Sequence, residues 1–243
     1  MATARKKMSL TSATAPAGRA AMISTGGGRH RDMSSVTSHM SISLDGFVAG
    51  PNQSTENPLG EGGMRLHEWV FATASWRSQH GREGGEGGPD SDVAKRVAEG
   101  VGAHIMGRRM FGGGEGAWDE SWTGWWGEEP PFHVPVFVLT HHPRAPLRMK
   151  GGTSFTFVTG GIDAALTQAR AAADGKDVAI AGGAQTVRQY LAAGKLDELH
   201  LHIVPIVLGG GERLLEGVGD PELRPVEVVA SPSVTHVRYR VIR

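Results

Sequence analysis

The sequence predicts an α/β domain built on a mostly parallel sheet, and three stretches carry that expectation. From Val178 to Ala193 a short apolar run breaks at Gly182-Gly183 and continues with apolar positions at helical spacing: strand, glycine turn, helix. Val134 to Thr140 is an unbroken, β-branched apolar run of the kind buried on both faces of a parallel sheet. Ala103 to Phe111 reads as a strand that enters Gly107 and a second helix start.

Composition sets the outer limits. The 243 residues suffice for one domain of ordinary size plus a tail. Lys and Arg balance Asp and Glu at 25 each, so no overall charge steers the chain toward nucleic acid. With Cys at 0, disulfides, thiolate nucleophiles and cysteine-ligated metals are excluded together, which suits a reducing, cytoplasmic setting. No apolar run approaches the roughly twenty residues that span a bilayer, so no membrane role is expected.

In chain order, residues 1–33 carry Asp32 as the single acid against Arg5, Lys6, Lys7, Arg19, Arg29 and Arg31, among Ala, Ser, Thr and Gly. Such a segment buries too little apolar surface to order itself. It is expected to be a disordered basic leader, or sequence upstream of a start at Met22 or Met33. An organelle transit peptide fits its composition but not its lack of an amphipathic stripe. The domain, residues 34–243, opens on a strand over Val36–Phe47 that runs into Asp45-Gly46 and Ala49-Gly50-Pro51. The long loop from Pro51 to Gly63 is the length of a functional lid.

Arg65 to Ser78 is expected as one helix with Leu66, Trp69, Val70 and Thr73 on a shared face. Gly81 to Asp90 reads as a flexible glycine-rich loop, and Ser91 or Asp92 as the cap of a helix reaching Gly100. Trp118, Trp122, Trp125 and Trp126 lie among acidic residues, which argues for packing at a pocket rim or dimer contact rather than for nucleic acid. Adjacent residues on an extended chain point apart, so His141-His142 makes no metal site, and no metal is expected. After an Ala-rich helix over Gly161–Ala173, a strand from Glu198 sets Leu199, Leu201 and Ile203 on one face and His200 and His202 on the other. Val226–Ala230 and Ser233–Ile242 close the chain as a hairpin.

Two glycines ahead of a helix allow close backbone approach, and the helix start favours an anion; a phosphate is the natural guest. Arg108, just past a strand-ending glycine, can fork onto phosphate oxygens. The combination of AGGAQTVRQYL with LDELHLHIVPIVLGGG resembles the dihydrofolate reductase superfamily, and more closely the reductase domain of the bacterial riboflavin-biosynthesis deaminase-reductase. The resemblance spans nearly all of residues 36–243. It implies a dihydrofolate-reductase-like fold, a mostly parallel sheet of about eight strands with helices on both faces and a C-terminal antiparallel hairpin.

The resemblance also implies NADPH as cofactor and a homodimer. It places Gly182, Gly183, Ala184, Gln185 and Thr186 on the pyrophosphate, and Gly107, Arg108, Arg109 and Met110 on the diphosphate and 2′-phosphate. Leu139, Thr140 and His141 would flank the adenosine, and Thr140, His141 and Arg144 would select NADPH over NADH by binding its extra phosphate. Ser41, Val48 and Ala49 would lie against the nicotinamide, and Ser43, Asp45, Leu66 and His202 on the substrate side. The chain departs from the pattern at three positions. Met110 replaces the usual threonine, Leu66 stands where folate-reducing enzymes carry a carboxylate, and Ala181 stands where riboflavin-pathway enzymes carry a substrate-side glutamate.

The expected function is therefore NADPH-dependent hydride transfer to a pyrimidine or pterin-like heterocycle. The nearest substrate is 5-amino-6-(5-phosphoribosylamino)uracil, without the zinc deaminase half. Dihydrofolate reduction and a non-catalytic NADPH-binding module are the alternatives. The catalytic group is unassigned. His202 could donate a proton or belong to the polar face of a half-exposed strand, and Glu68 could support proton delivery or face solvent.

Overall fold

The computed structural model describes residues 34–243, and the expected basic leader over 1–33 lies outside the described residues. Strand β1 (Val36–Ser43) turns at Gly46, whose φ of 88° suits glycine, into β2 (Phe47–Ala49). Helices α1 (Glu68–Ala72), α2 (Ala74–Gln79) and α3 (Pro89–Ala98) follow, then β3 (Val101–Gly107), the single helical turn α4 (Arg108–Phe111) and β4 (Pro135–Leu139). Next come β5 (Leu147–Arg148), β6 (Ser154–Val158), α5 (Gly161–Ala173), β7 (Asp177–Gly182), α6 (Ala184–Ala192) and β8 (Glu198–Val204). Strand β9 (Glu212–Arg213) and the hairpin β10 (Glu222–Ala230) and β11 (Thr235–Ile242) complete the chain.

The main sheet has nine strands in the order β10-β11-β8-β1-β7-β3-β4-β6-β5. The six central strands β8 to β6 run parallel, and β11, β10 and β5 are antiparallel additions at the two ends. This is the mostly parallel α/β architecture that the resemblance implied, with nine strands against the expected eight or so and the C-terminal antiparallel hairpin in place. A small second sheet pairs β2 with β9.

Each face of the sheet carries its own core. On one face Val36, Met40 and Ile42 of β1 and Val178 and Ile180 of β7 pack with Ala165 and Ala169 of α5 and Val187 and Tyr190 of α6. The other face is divided. Leu66, Trp69, Val93 and Ala94 cover it near β8, while Phe111 and three tryptophans cover Met106, Val136, Val138 and Phe155. The tryptophan loop is thus core packing over β3, β4 and β6, with Trp126 and Phe155 stacked at 6.0 Å.

Tyr190 ties the two helices of the first face together, its hydroxyl donating to the Ile162 carbonyl at 2.8 Å. Tyr190→Phe removes that bond and leaves the ring's packing. A loss of about 1 kcal/mol in denaturant unfolding is expected, with unchanged secondary structure by circular dichroism.

Three local expectations need correction. The helix expected over 65–78 is interrupted at Thr73, which is extended at ψ 145° and uses its hydroxyl to cap Trp76. The interruption comes from the 81–90 stretch, which is no free loop. Glu86 bonds across the break, its N–H to Ala72 and its carbonyl to the Ala74 N–H, both at 2.8 Å. Helix α3 begins at Pro89 after Gly88, ahead of the expected cap, because proline suits the first helical turn and Asp90 and Asp92 complement its dipole. Ser91 instead accepts from the Ser75 N–H of α2 at 3.1 Å.

The long loop after β2 is anchored at its base, with the Gly50 N–H to Leu59 and the Glu61 N–H to Pro51, both at 2.8 Å. Gly50 must be glycine there, since a Cβ would stand 1.9 Å from the Glu61 carbonyl oxygen.

Candidate functional site

The candidate site forms where β7, β3 and β4 end side by side. Met106 is the register partner of Gly182, and Gly107 is the partner of Leu139. The three strand ends singled out in the sequence are therefore neighbours, since parallel strands lie about 4.8 Å apart. Strands β3 and β7 terminate in glycines, Gly107 and Gly182, which let the backbone come close. A Cβ on Gly107 would stand 2.4 Å from the Thr186 hydroxyl, and one on Gly182 would stand 3.3 Å from Met110 Sδ and 3.9 Å from Met40 Sδ.

Helix α6 starts at this junction. Its cap, Gly183, offers no side-chain acceptor, so the first-turn N–H groups around Ala184 and Gln185 have no capping partner. A Cβ at Gly183 would enter open space, with nothing within 4 Å. Gln185 is exposed, Ala184 and Thr186 are buried, and the Thr186 N–H bonds the Gly183 carbonyl at 3.0 Å. The peptide bond between Gly182 and Gly183 is cis. An uncapped helix start facing an open, side-chain-free surface fits a pyrophosphate.

The arginines frame this opening in different ways. Arg108 lays its guanidinium on Trp118, 3.8 Å from the ring centre, and donates to the Gly116 carbonyl at 2.6 Å. Burial first, and then the nearby Arg144 charge, pull its pKa down. Arg109 is exposed and meets Glu212 at 3.5 Å, and Glu212 also lies 3.8 Å from Arg188 of α6. Arg144 is buried against Glu120, so it holds the tryptophan loop rather than presenting itself. At the end of β4, Leu139 is half-buried and His141 exposed, while the buried Thr140 hydroxyl accepts from the His142 N–H at 3.1 Å.

Beside the cradle lie the residues assigned to nicotinamide and substrate. Ser41 accepts from the Trp69 indole N–H at 3.0 Å, and Val48 and Ala49 are buried on β2. The Ser43 hydroxyl donates to Asp45 at 2.6 Å, and Asp45 also receives the Leu208 and Gly209 N–H groups at 3.1 and 2.7 Å. Chiefly the Ser43 hydroxyl, with those amides, brings the Asp45 pKa down to about 2. Asp45 thereby staples the β1 turn to the glycine-rich segment after β8. Leu66 is fully buried beneath α1, and Glu68 is exposed on α1.

His202 is buried and belongs to a band of imidazoles that the sequence shows only as alternation. Ser41 and His202 are register partners on β1 and β8, and His236 on β11 pairs with His202. His39, two residues back on β1 and the register partner of His200, stacks on His202 at 5.6 Å and lies tilted against His200 at 4.0 Å. Asp90 and His236 were not singled out in the sequence, although the period of two in THVRYR places His236 and Arg238 on one face. A cavity of about 370 Å³, lined by Thr37, His39, Arg96, Glu198, His200 and Arg238 among others, opens under α3 at the strand starts, the end opposite the cradle. The strand-end crevice has the stronger claim to the dinucleotide, because ligands of open α/β sheets gather at carboxyl ends of strands.

No helix among the described residues is long and apolar enough to cross a membrane. Comparison with curated proteins finds no match. A solved structure of a Shewanella sp. PV-4 protein named for riboflavin biosynthesis aligns at TM-score 0.55 and 21% identity, over 86% of this chain and 99% of that one. A Thermotoga maritima diaminohydroxyphosphoribosylaminopyrimidine deaminase/5-amino-6-(5-phosphoribosylamino)uracil reductase aligns at TM-score 0.51 and 13% identity, over 87% of this chain and 58% of its own. At those identities the likeness is one of fold. The family model described as the RibD C-terminal domain matches residues 34–237, which points to a reductase, and the chain belongs to that family.

Proposed function

We propose that this chain is an NADPH-dependent reductase that delivers hydride to a pyrimidine or pterin-like heterocycle, with 5-amino-6-(5-phosphoribosylamino)uracil as the nearest substrate. The observation that carries the proposal is the convergence of Gly107, Thr140 and Gly182-Gly183 at three adjacent strand ends, beside an uncapped helix start. Backbone amides at Ala184 and Gln185 would hold the pyrophosphate. Arg108 and Arg109 would meet the remaining phosphate charge, and Thr140 and His141 would border the adenosine. NADPH supplies the hydride when bound.

The protein's own part is positioning and exclusion of water. Ser41, Val48 and Ala49 form the wall for the nicotinamide, and the heterocycle enters between Ser41, Trp69 and His202. Leu66 is apolar and walled in by Trp69 and Val93, so no carboxylate supports pterin protonation there, which favours the uracil substrate over dihydrofolate. A homodimer in the cytoplasm is the expected setting.

Fluorescence titration with NADPH and NADH, followed by NADPH oxidation with the ribosylamino-uracil and with dihydrofolate, tests the assignment. Saturable NADPH binding with turnover on the uracil alone is the expected result. Absence of nucleotide binding would overturn it, and binding without turnover on either substrate would leave a non-catalytic module.

A further inference from the structure

A hydrogen-bonded chain runs from α3 to the proposed substrate wall through residues that no step above uses. Asp90 Oδ1 lies 3.2 Å from His236 Nε2, and His236 Nδ1 lies 2.8 Å from His202 Nδ1. Asp90 is held in turn by the Ser231 hydroxyl, which donates to Oδ2 at 2.8 Å. His202 Nε2 is buried and has no hydrogen-bond partner among the described residues. Trp69 packs against the His202 ring at 4.9 Å, but its one N–H is already given to Ser41.

The protons in this chain are determined by its first member. A carboxylate only accepts, so His236 carries its proton on Nε2. Burial pulls the His236 pKa down against the opposing pull of Asp90, so the ring is neutral at neutral pH and its Nδ1 is a bare acceptor. The proton between the two imidazoles must then sit on His202 Nδ1. That leaves His202 Nε2 as a lone pair, the reverse of the tautomer that free imidazole side chains favour.

We propose that Asp90 and His236 are positioning residues that lock His202 in the Nδ1–H form, so that Nε2 accepts a hydrogen bond from an amino or hydroxyl group of the heterocyclic substrate. The proposal rests on the reading that the heterocycle enters between Ser41, Trp69 and His202. A buried acceptor without a donor is costly, and a ligand that supplies the donor recovers that cost while an analogue lacking it does not. The same tautomer leaves no proton on Nε2 to give, so at neutral pH His202 selects the substrate and does not act as the proton donor.

Long-range nitrogen–proton NMR on histidine-labelled protein, with peaks assigned by His202→Asn and His236→Asn, reads the tautomers directly. The wild type is expected to show His202 as Nδ1–H and His236 as Nε2–H. In Asp90→Asn the side-chain amide donates to His236 Nε2 and reverses the chain, so His202 becomes Nε2–H. Its KM for the ribosylamino-uracil should rise about tenfold, the loss of roughly one hydrogen bond, with NADPH affinity unchanged. Asp90→Glu should keep the wild-type pattern. An Nε2–H signal for His202 in the wild type overturns the proposal, and this readout stands even if D90N fails to fold. Wild-type tautomers with an unmoved KM in folded D90N overturn the substrate role. Loss of NADPH binding in the wild type would instead refute the reductase assignment and leave the tautomers untouched.

Discussion

Acidification from pH 7.5 to pH 5 is expected to destabilise the fold by at least about 2 kcal/mol. His39 and His202 have pKa values well below 6.5, and His104 is lowered to about 4, in each case mainly by burial. The unfolded chain takes up protons below pH 6.5 that these rings refuse in the folded state. Their contribution is therefore complete above 6.5 and is lost as pH falls from there toward the folded values. For a ring still neutral at pH 5 the loss is about 1.5 pH units at 1.36 kcal/mol each, roughly 2 kcal/mol. His104, with a folded value near 4, carries a loss of that size by itself, and His39 and His202 add to it in the same direction.

Proximity sharpens the effect, because His39 lies within 5.6 Å of both His200 and His202, so charging one ring disfavours charging the next. Asp45, with its pKa near 2, loses its own contribution only between about pH 4 and 2, below this window. Urea melts at pH 7.5, 6 and 5 should show a falling midpoint with little change in slope. His104 rests edge-on against Phe132 at 5.1 Å, and its Nδ1 has no partner among the described residues. Replacing it with Gln should reduce the pH 7.5-to-5 loss by about 2 kcal/mol. A midpoint that is flat across this range would refute the account.

The parts of this fold that were readable in the sequence are those encoded by neighbours along the chain. VPVFVLT reads as a strand from its own composition, and IAGGAQTV turns from strand to helix at Gly182, whose φ of 128° only glycine adopts freely. What the sequence could not carry is partnership across distance. Thr73 sits in a good helical register, and what breaks that helix is Glu86, thirteen residues on, whose backbone bonds both sides of the break. Asp90 looked like the end of a glycine-rich loop, because its two partners, Ser231 and His236, lie more than 140 residues away. His202 was visible as a polar residue on a strand face, but whether it faces solvent or a buried acceptor chain depends on β11 lying beside it. The orientation of Arg144, buried under the tryptophan loop, was likewise not legible from its neighbours along the chain.

Gly183→Val should abolish nucleotide binding while leaving the fold nearly as stable as before. The two adjacent glycines differ in what a side chain would meet. Gly182 has φ of 128°, a backbone region that side chains rarely enter, so Gly182→Ala strains the chain whatever occupies the site. Gly183 has φ of −72°, open to any residue, and a Cβ there meets no atom within 4 Å. A side chain at 183 therefore meets neither backbone strain nor a neighbouring atom at Cβ, and its bulk acts on whatever approaches the helix start. If a pyrophosphate rests on the start of α6, isopropyl bulk at this position occupies its space and screens the Ala184 and Gln185 amides. NADPH affinity is expected to fall by at least about a hundredfold, close to 2.7 kcal/mol, with the melting temperature shifted by no more than about 3 °C. Gly182→Ala should show the opposite balance, a clear loss of stability measured in the absence of nucleotide. Should Gly183→Val bind NADPH as tightly as the parent, the dinucleotide does not lie on this helix start, and the strand-end cradle at Gly107, Thr140 and Gly182 has some other purpose.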